Sequence, residues 1–269
     1  MKRLLPLLLM ALPLTFHAQD TESYGAVWTE VGVTKLLPYN LSIDAGVGFR
    51  SIDWFDDANR FDASLGLEYK LGKHLKFGIG YTFIEKHYLT ESKENYSNSS
   101  GRFNGYNVDS SHWAPRHRIV FDITADKRFW KTLRISLRER YQYTHQAARD
   151  VKRTRFRDPS YDASGNITGW DEIENVVRHK DAWDRHLLRS RLKFAIDKKG
   201  WQWEPFTSVE FHNNMGDSWH LDKLRTMAGA NYAINKQHKL SAAYVFTHEN
   251  DDDGNENIHA ISIGYRFKF

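Results

Sequence analysis

Ile258–Phe269 reads I-H-A-I-S-I-G-Y-R-F-K-F, and this stretch decides the fold. Side chains alternate from face to face along a strand. Ile261, Ile263, Tyr265, Phe267 and Phe269 therefore share one face, and Ala260, Ser262, Gly264, Arg266 and Lys268 share the other. One greasy face, one polar face and a final aromatic residue predict the closing strand of an outer-membrane β-barrel.

The other end of the chain agrees. Lys2 and Arg3 precede an apolar run, Leu4–Leu14, and Ala18 precedes Gln19-Asp20. A basic start, a short apolar core and a small residue before a polar one form a secretory signal peptide. The run is too short for a spanning helix, which needs about 20 apolar residues. The expected division is residues 1–18 as signal peptide and 19–269 as a single barrel domain.

Composition narrows the classes. There is no cysteine, so disulfides, thiol catalysis, cysteine–metal sites and a lipoprotein-type anchor are excluded. The mean hydropathy of −0.64 excludes a helical membrane protein but suits a barrel, which shows lipid only every second residue of each strand. The net charge of +4 comes from 38 basic and 34 acidic residues without a basic cluster, which argues against nucleic-acid binding. No cofactor and no metal are expected.

Between the ends the same grammar repeats. Leu41–Ile52 sets Leu41, Ile43, Ala45, Val47 and Phe49 against Ser42, Asp44, Gly46, Gly48 and Arg50. Further segments follow at Arg60–Leu71, Leu75–His87, Pro115–Lys127, Thr132–Gln146, Asp184–Asp197, Gln202–Asn213, Leu221–Ile234 and Lys239–Glu249, after a first segment at Tyr24–Leu36. Glu139 breaks its greasy face. Short turns alternate with long polar stretches, of which Tyr88–Ala114 and Ala147–Trp183 read as loops. Leu67–Lys73 and Ala230–Lys236 open echoing hairpins. Trp54, Trp113, Trp130, Trp183, Trp201, Trp203 and Trp219 fall near segment ends, where interfacial aromatic girdles are expected. The count is about eleven strands. Bacterial single-chain barrels have even numbers, so ten to twelve are expected, with twelve favoured and an antiparallel partner required for the last strand.

Trp28, the hairpin E-Y-K-L-G-K-H-L-K-F-G-I-G-Y (Glu68–Tyr81), Pro115-Arg116-His117-Arg118, the R-x-R at Arg189 and Arg191, and the terminal G-Y-R-F-K-F carry a resemblance. The chain resembles a family of bacterial outer-membrane barrels of unknown function. The resemblance implies a fold and a location, but no activity or catalytic residue. The terminal strand also resembles the signal read by the barrel-assembly machinery, with Tyr265, Phe267 and Phe269 as its contacts. Outer-membrane lipid and lipopolysaccharide are the other expected partners, and a monomer is expected.

The polar phase carries the chemistry. Arg50, Arg116, Arg118, Arg134, Arg138, Arg140, Arg189, Arg191, Arg225 and Arg266 lie on it, with Asp44, Asp62, Glu68, Asp122, Glu204 and Glu210. Guanidinium forks suit carboxylates and phosphates, which predicts a pore or binding lumen for small polar, anionic solutes. The competing reading pairs these charges with one another and seals a narrow barrel. Ser110, Ser111, His112 and His117 form the weak alternative of an outer-membrane enzyme acting on lipid or lipopolysaccharide. Asp251–Asn257 is oxygen-rich but matches no calcium loop and reads as a solvated tip. Arg149, Lys152, Arg153, Arg155 and Arg157 could meet lipid phosphates or form a solvated strand extension.

Overall fold

The computed structural model describes residues 22–99, 101–216, 219–251 and 254–269. The expected signal peptide and the acidic pair at 252–253 lie outside these residues. Fifteen strands are described: β1 (Glu22–Leu36), β2 (Leu41–Ile52), β3 (Asp57–Leu71), β4 (Leu75–Tyr88), β5 (Glu91–Tyr96), β6 (Phe103–Asp109), β7 (His112–Phe129), β8 (Leu133–Gln146), β9 (Arg149–Tyr161), β10 (Ile167–Lys180), β11 (Trp183–Ile196), β12 (Trp203–Asn214), β13 (His220–Ala233), β14 (His238–Asp251) and β15 (Gly254–Lys268).

Eleven of them close a barrel in the order β1-β15-β14-β13-β12-β11-β8-β7-β4-β3-β2. The favoured count of twelve is not met, and the reason lies at the seam. Neighbours alternate in direction around the wall, so an odd count leaves the first and last strands running the same way. β1 and β15 accordingly pair in parallel, from Glu22↔Glu256 to Thr34↔Lys268. The partner of the last strand is the expected first segment, but with the opposite sense to the antiparallel one required by the sequence reading.

The faces follow the alternation. On the outside Leu41, Ile43, Ala45 and Val47 oppose Tyr69, Leu67, Leu65 and Ala63 across β2–β3. Val31, Leu65, Ile79, Phe121, Ile123 and Ile263 are exposed members of a continuous apolar band. Glu139, which interrupts it, accepts a 2.6 Å hydrogen bond from Ser190 directly across the ladder. The echoing hairpins share a register: Tyr69 opposes Phe77, as Tyr232 opposes Leu240. Inside, a small apolar cluster joins Ala26, Val245 and Ala260 with Trp28, Met227 and Ile258.

Five short connections gather at one end of the barrel, the turn end. The other five gather at the opposite end, the loop end, where two of them carry the long insertions between β4 and β7 and between β8 and β11. The two stretches expected to be loops instead contain β5, β6, β9 and β10, which form a separate four-stranded sheet in the order β10-β9-β6-β5. Their sequences misread as loops because polar and charged residues together fill most positions. The sheet is held by ring contacts among Phe103, Tyr106, Phe156 and Trp170, with centroids 5.1–6.3 Å apart. Gly105 is required there: its φ is +124°, and a Cβ would lie 1.9 Å from the Phe156 carbonyl oxygen.

Parallel pairing is slightly weaker per residue than antiparallel pairing, and the seam carries an extra clamp. Arg266 on β15 reaches over Gly32 to donate to Glu30 on β1 (2.8 Å) and Asp44 on β2 (3.1 Å). Thr34 donates to the same Asp44 at 2.5 Å. These groups are partly exposed, so each pair contributes at most about 1 kcal/mol. Arg266→Leu should lower the urea midpoint by an amount equivalent to about 1–2 kcal/mol, leaving the denaturant slope unchanged. A slope that falls instead would mean that the seam opens before the rest of the barrel.

Candidate functional site: a basic lumen closed at one end

The inner face is built from two unlike walls. On β1–β4 and β15 many inward positions are glycine or serine: Gly32 opposes Gly46, and Gly66 opposes Gly80. No side chain projects there, so space remains. On the facing wall β7, β8 and β11 supply Arg118, Arg134, Arg138, Arg140, Arg189 and Arg191. The result is a cavity of about 850 Å³ between a bare wall and a cationic one. Thirteen Lys and Arg residues line it against six carboxylates.

The cavity runs from Lys70, Lys73 and Lys76 at the turn end to Arg50 and Arg60, near the loop-end termini of β2 and β3, and to Arg118 on β7. Above that level the lumen is packed. Gln142, Thr144, Gln146, His212, Asp222, Val245 and Thr247 are all buried there. A second plug sits at the loop end. Tyr88 stacks on His112 with ring centroids 5.0 Å apart. Gln146 accepts from Tyr88 (2.9 Å) and Arg116 (2.8 Å), and Arg149 lies over the Tyr88 ring.

Of the ten arginines expected on the inner face, Arg50, Arg118, Arg134, Arg138, Arg140, Arg189, Arg191 and Arg266 line the cavity, as do Asp44, Glu68 and Asp122. Arg116 belongs to the loop-end plug, and Arg225 lies in the packed region. Arg50 and Arg225 lie over the same Trp28 ring, at 4.4 and 4.9 Å. The R-x-R motifs meet in register, Arg138 opposite Arg191 and Arg140 opposite Arg189. Like charges directly opposite repel. Two carboxylates offset this: Asp122 takes both prongs of Arg140 at 2.5 and 2.7 Å, and Glu210 takes Arg138 at 2.8 Å and Arg189 at 2.5 Å. His212 adds a third contact to Glu210 at 2.8 Å.

Several guanidiniums remain under-used. Arg191 comes no nearer to a carboxylate than 4.0 Å. Among the described residues, Arg118 bonds only to the Thr144 hydroxyl at 3.2 Å, and the Arg138 Nε is buried without a partner. Arg134 is satisfied by Glu204 at 2.7 Å. This geometry can accept oxyanions, because charged donors point into a space that the protein's own carboxylates do not fill.

The weak enzymatic cluster is not assembled. His117 faces the outside, where it meets Tyr81, whereas His112 faces inward. His112 Nδ1 donates to the Ser110 carbonyl at 3.0 Å, and its Nε2 accepts from Arg149 at 3.1 Å. Neither nitrogen addresses a serine hydroxyl. The basic run on β9 is also engaged: Arg153 with Asp109, Arg155 with Glu174, and Arg157 with the Tyr106 carbonyl and Asn107. Among the described residues, no cluster of three or more His, Asp or Glu side chains could hold a metal ion.

Sequence reasoning missed Arg60, Lys193 and the inner-wall glycines, although all lie on the same phase as the arginines it selected. It also missed Asp109, which lay in an expected loop. Asp109 is buried and accepts from Arg153 (2.5 Å) and Arg178 (2.7 Å). Burial pushes this carboxyl up, but the two guanidiniums outweigh that and hold it at about 2.

Two predictions follow from these contacts. A depressed carboxyl stabilises the fold above its unfolded value of about 3.9 and loses that contribution as pH falls toward 2. Amide exchange in β6 and β9 should therefore accelerate between pH 4 and 2, and Asp109→Asn should remove the acceleration. Glu210→Ala strands Arg138 and Arg189 in the lumen. It should cost about 3–5 kcal/mol in chemical denaturation, the usual penalty for breaking a buried pair from one side.

With this geometry in place, comparison with known proteins adds one finding. A search of curated proteins returns no match. A family model matches residues 25–258, which takes in nearly the whole barrel. The chain belongs to the family described as "Protein of unknown function (DUF2490)".

Proposed function

We propose that this protein is an outer-membrane barrel that binds small anionic solutes in a lumen open only toward the periplasm. The membrane reading rests on the apolar outer band. A band of this extent around a whole barrel has no place in water but suits a hydrocarbon layer. Exposed Trp130, Trp201 and Trp203 at the turn end, and Trp54, Trp113 and Trp219 at the loop end, flank it as interfacial girdles do. Export through the N-terminal signal and assembly through Tyr265, Phe267 and Phe269 complete this reading. Short turns then face the periplasm, as in other outer-membrane barrels.

The observation that carries the binding role is the basic cavity with its spare guanidiniums. It favours a vessel over a pore, because inward side chains toward the loop end, Gln146, Asp222 and Thr247 among them, are buried. Solute enters and leaves by the same mouth, where Lys70, Lys73 and Lys76 raise the local anion concentration.

Two measurements test this. In planar bilayers the purified protein should give no sustained current; discrete conductance steps would replace the vessel with a pore. In calorimetry with pyrophosphate, the wild type should bind and choline should not. Arg191→Gln disturbs no hydrogen bond of the fold and should weaken pyrophosphate binding about tenfold, or about 1.4 kcal/mol. Gly66→Leu should do the same by filling space, since a Cβ there meets only the Ile79 carbonyl at 3.5 Å and the Gly80 Cα at 4.0 Å. An absence of binding to any anion would favour a sealed structural barrel.

A further inference from the structure

Three seams at the loop end carry the same arrangement of side chains on the outside of the wall. On the strand rising toward the loop end lies tyrosine–x–aromatic: Tyr81-x-Phe83 on β4, Tyr141-x-Tyr143 on β8 and Tyr244-x-Phe246 on β14. On the returning strand, a histidine stands directly opposite the second aromatic: His117 opposite Phe83, His186 opposite Tyr143 and His259 opposite Phe246. Each histidine bonds diagonally to the tyrosine. The Tyr Oη to His Nδ1 distances are 2.7, 2.7 and 2.6 Å.

This bond fixes two things. It holds the imidazole beside the second aromatic, the two rings tilted with centroids 5.1–5.6 Å apart. It also sets the tautomer. A phenol is a stronger acid than a neutral imidazole N–H, so the phenol donates to Nδ1 and the imidazole proton resides on Nε2. No partner for Nε2 exists on any of the three among the described residues. Three oriented N–H donors thus point away from the protein.

Their height matters. Ile119, Leu188 and Ile261, the first members of the apolar band on those strands, each lie two residues below a histidine. At about 3.3 Å per residue, the imidazoles sit one side-chain step above the apolar band. At the edge of a hydrocarbon layer this is the level of lipid headgroups.

We infer that His117, His186 and His259 form a lipid-binding belt that hydrogen-bonds the phosphate groups of lipids in the loop-side leaflet. The inference rests on the membrane reading above, but not on the lumen. Phosphate suits the belt because its oxygens accept the Nε2 protons without a donor of their own. Glu85 lies one diagonal step from His117 on the same face, and the carboxylate beside His186 is Asp184. Its charge is drawn on by Tyr143 and His145, at 2.7 and 2.8 Å, which limits its repulsion of a phosphate. The tyrosines beneath make the donors rigid, so little side-chain freedom is lost when lipid binds.

The test uses the full chain, vesicle flotation and counting of lipids retained after detergent extraction. The vesicles are phosphatidylglycerol or the phosphate-free digalactosyl diacylglycerol. The wild type should insert in both but retain several-fold more phosphatidylglycerol, and free inorganic phosphate should not compete. The triple variant H117F/H186F/H259F should drop to the galactolipid level. The triple H117Q/H186Q/H259Q, whose amide N–H occupies nearly the same place, should keep most of the retention. Heat-modifiable gel mobility shows that each variant is folded. Equal retention of the two lipids, or wild-type retention in the phenylalanine variant, would overturn the belt alone. A folded chain that floats with neither vesicle would overturn the membrane reading and the belt with it.

Discussion

Glu210 is the contact on which the interior depends. It is buried, and Arg138, Arg189 and His212 converge on it from three strands. Above it the lumen is packed; below it the lumen is hollow. One carboxylate cannot neutralise the arginine block formed where the two R-x-R motifs pair. With Asp122 there are two anions for four guanidiniums, and Arg191 is left at the edge of contact. Buried ion pairs are poor stabilisers compared with apolar side chains of the same size. A barrel needing only to be solid would gain little from this arrangement. It is intelligible if the remaining positive charge meets an anion that is not part of the chain.

The odd strand number is a second constraint. It forces one parallel seam. Gly32 on the inner face of that seam leaves room for the Arg266 side chain to cross β1 and reach β2. The seam is therefore held by backbone pairing along β1 and β15 and by a guanidinium that spans three strands. The strand that ends the chain is both the barrel's last wall element and the source of this clamp.

Much of this was legible in the sequence. Period-two alternation identifies the wall strands, because burying one face and exposing the other leaves a mark at every second residue. The same alternation placed eight arginines on what proves to be the cavity wall. The parallel seam was not legible, since alternation says which way a side chain points and nothing about strand direction at closure. The sheet of β5, β6, β9 and β10 was hidden for another reason. Its strands are stabilised by Asp109 with its arginines and by one aromatic cluster, so they lack the greasy face that reveals a strand. The tyrosine–histidine pairs join residues 15 to 45 positions apart, and a single sequence does not display cross-strand register at that range.

The glycines bear on function more directly than the arginines do. Charge on an inner wall can be structural, as Arg134 with Glu204 shows. Emptiness is harder to explain that way. Glycine inside a strand weakens it through lost side-chain packing and a larger entropy loss on folding. The wall opposite the arginines nevertheless carries Gly46, Gly66, Gly78 and Gly80, and at Gly66 the backbone would admit a side chain without a clash. Strand stability is given up where the reward is open volume facing guanidiniums. Toward the loop end that volume meets buried Gln142, Thr144 and Thr247. The hollow is thus bare on one side and cationic on the other, the pairing of space and charge on which the proposed anion binding rests.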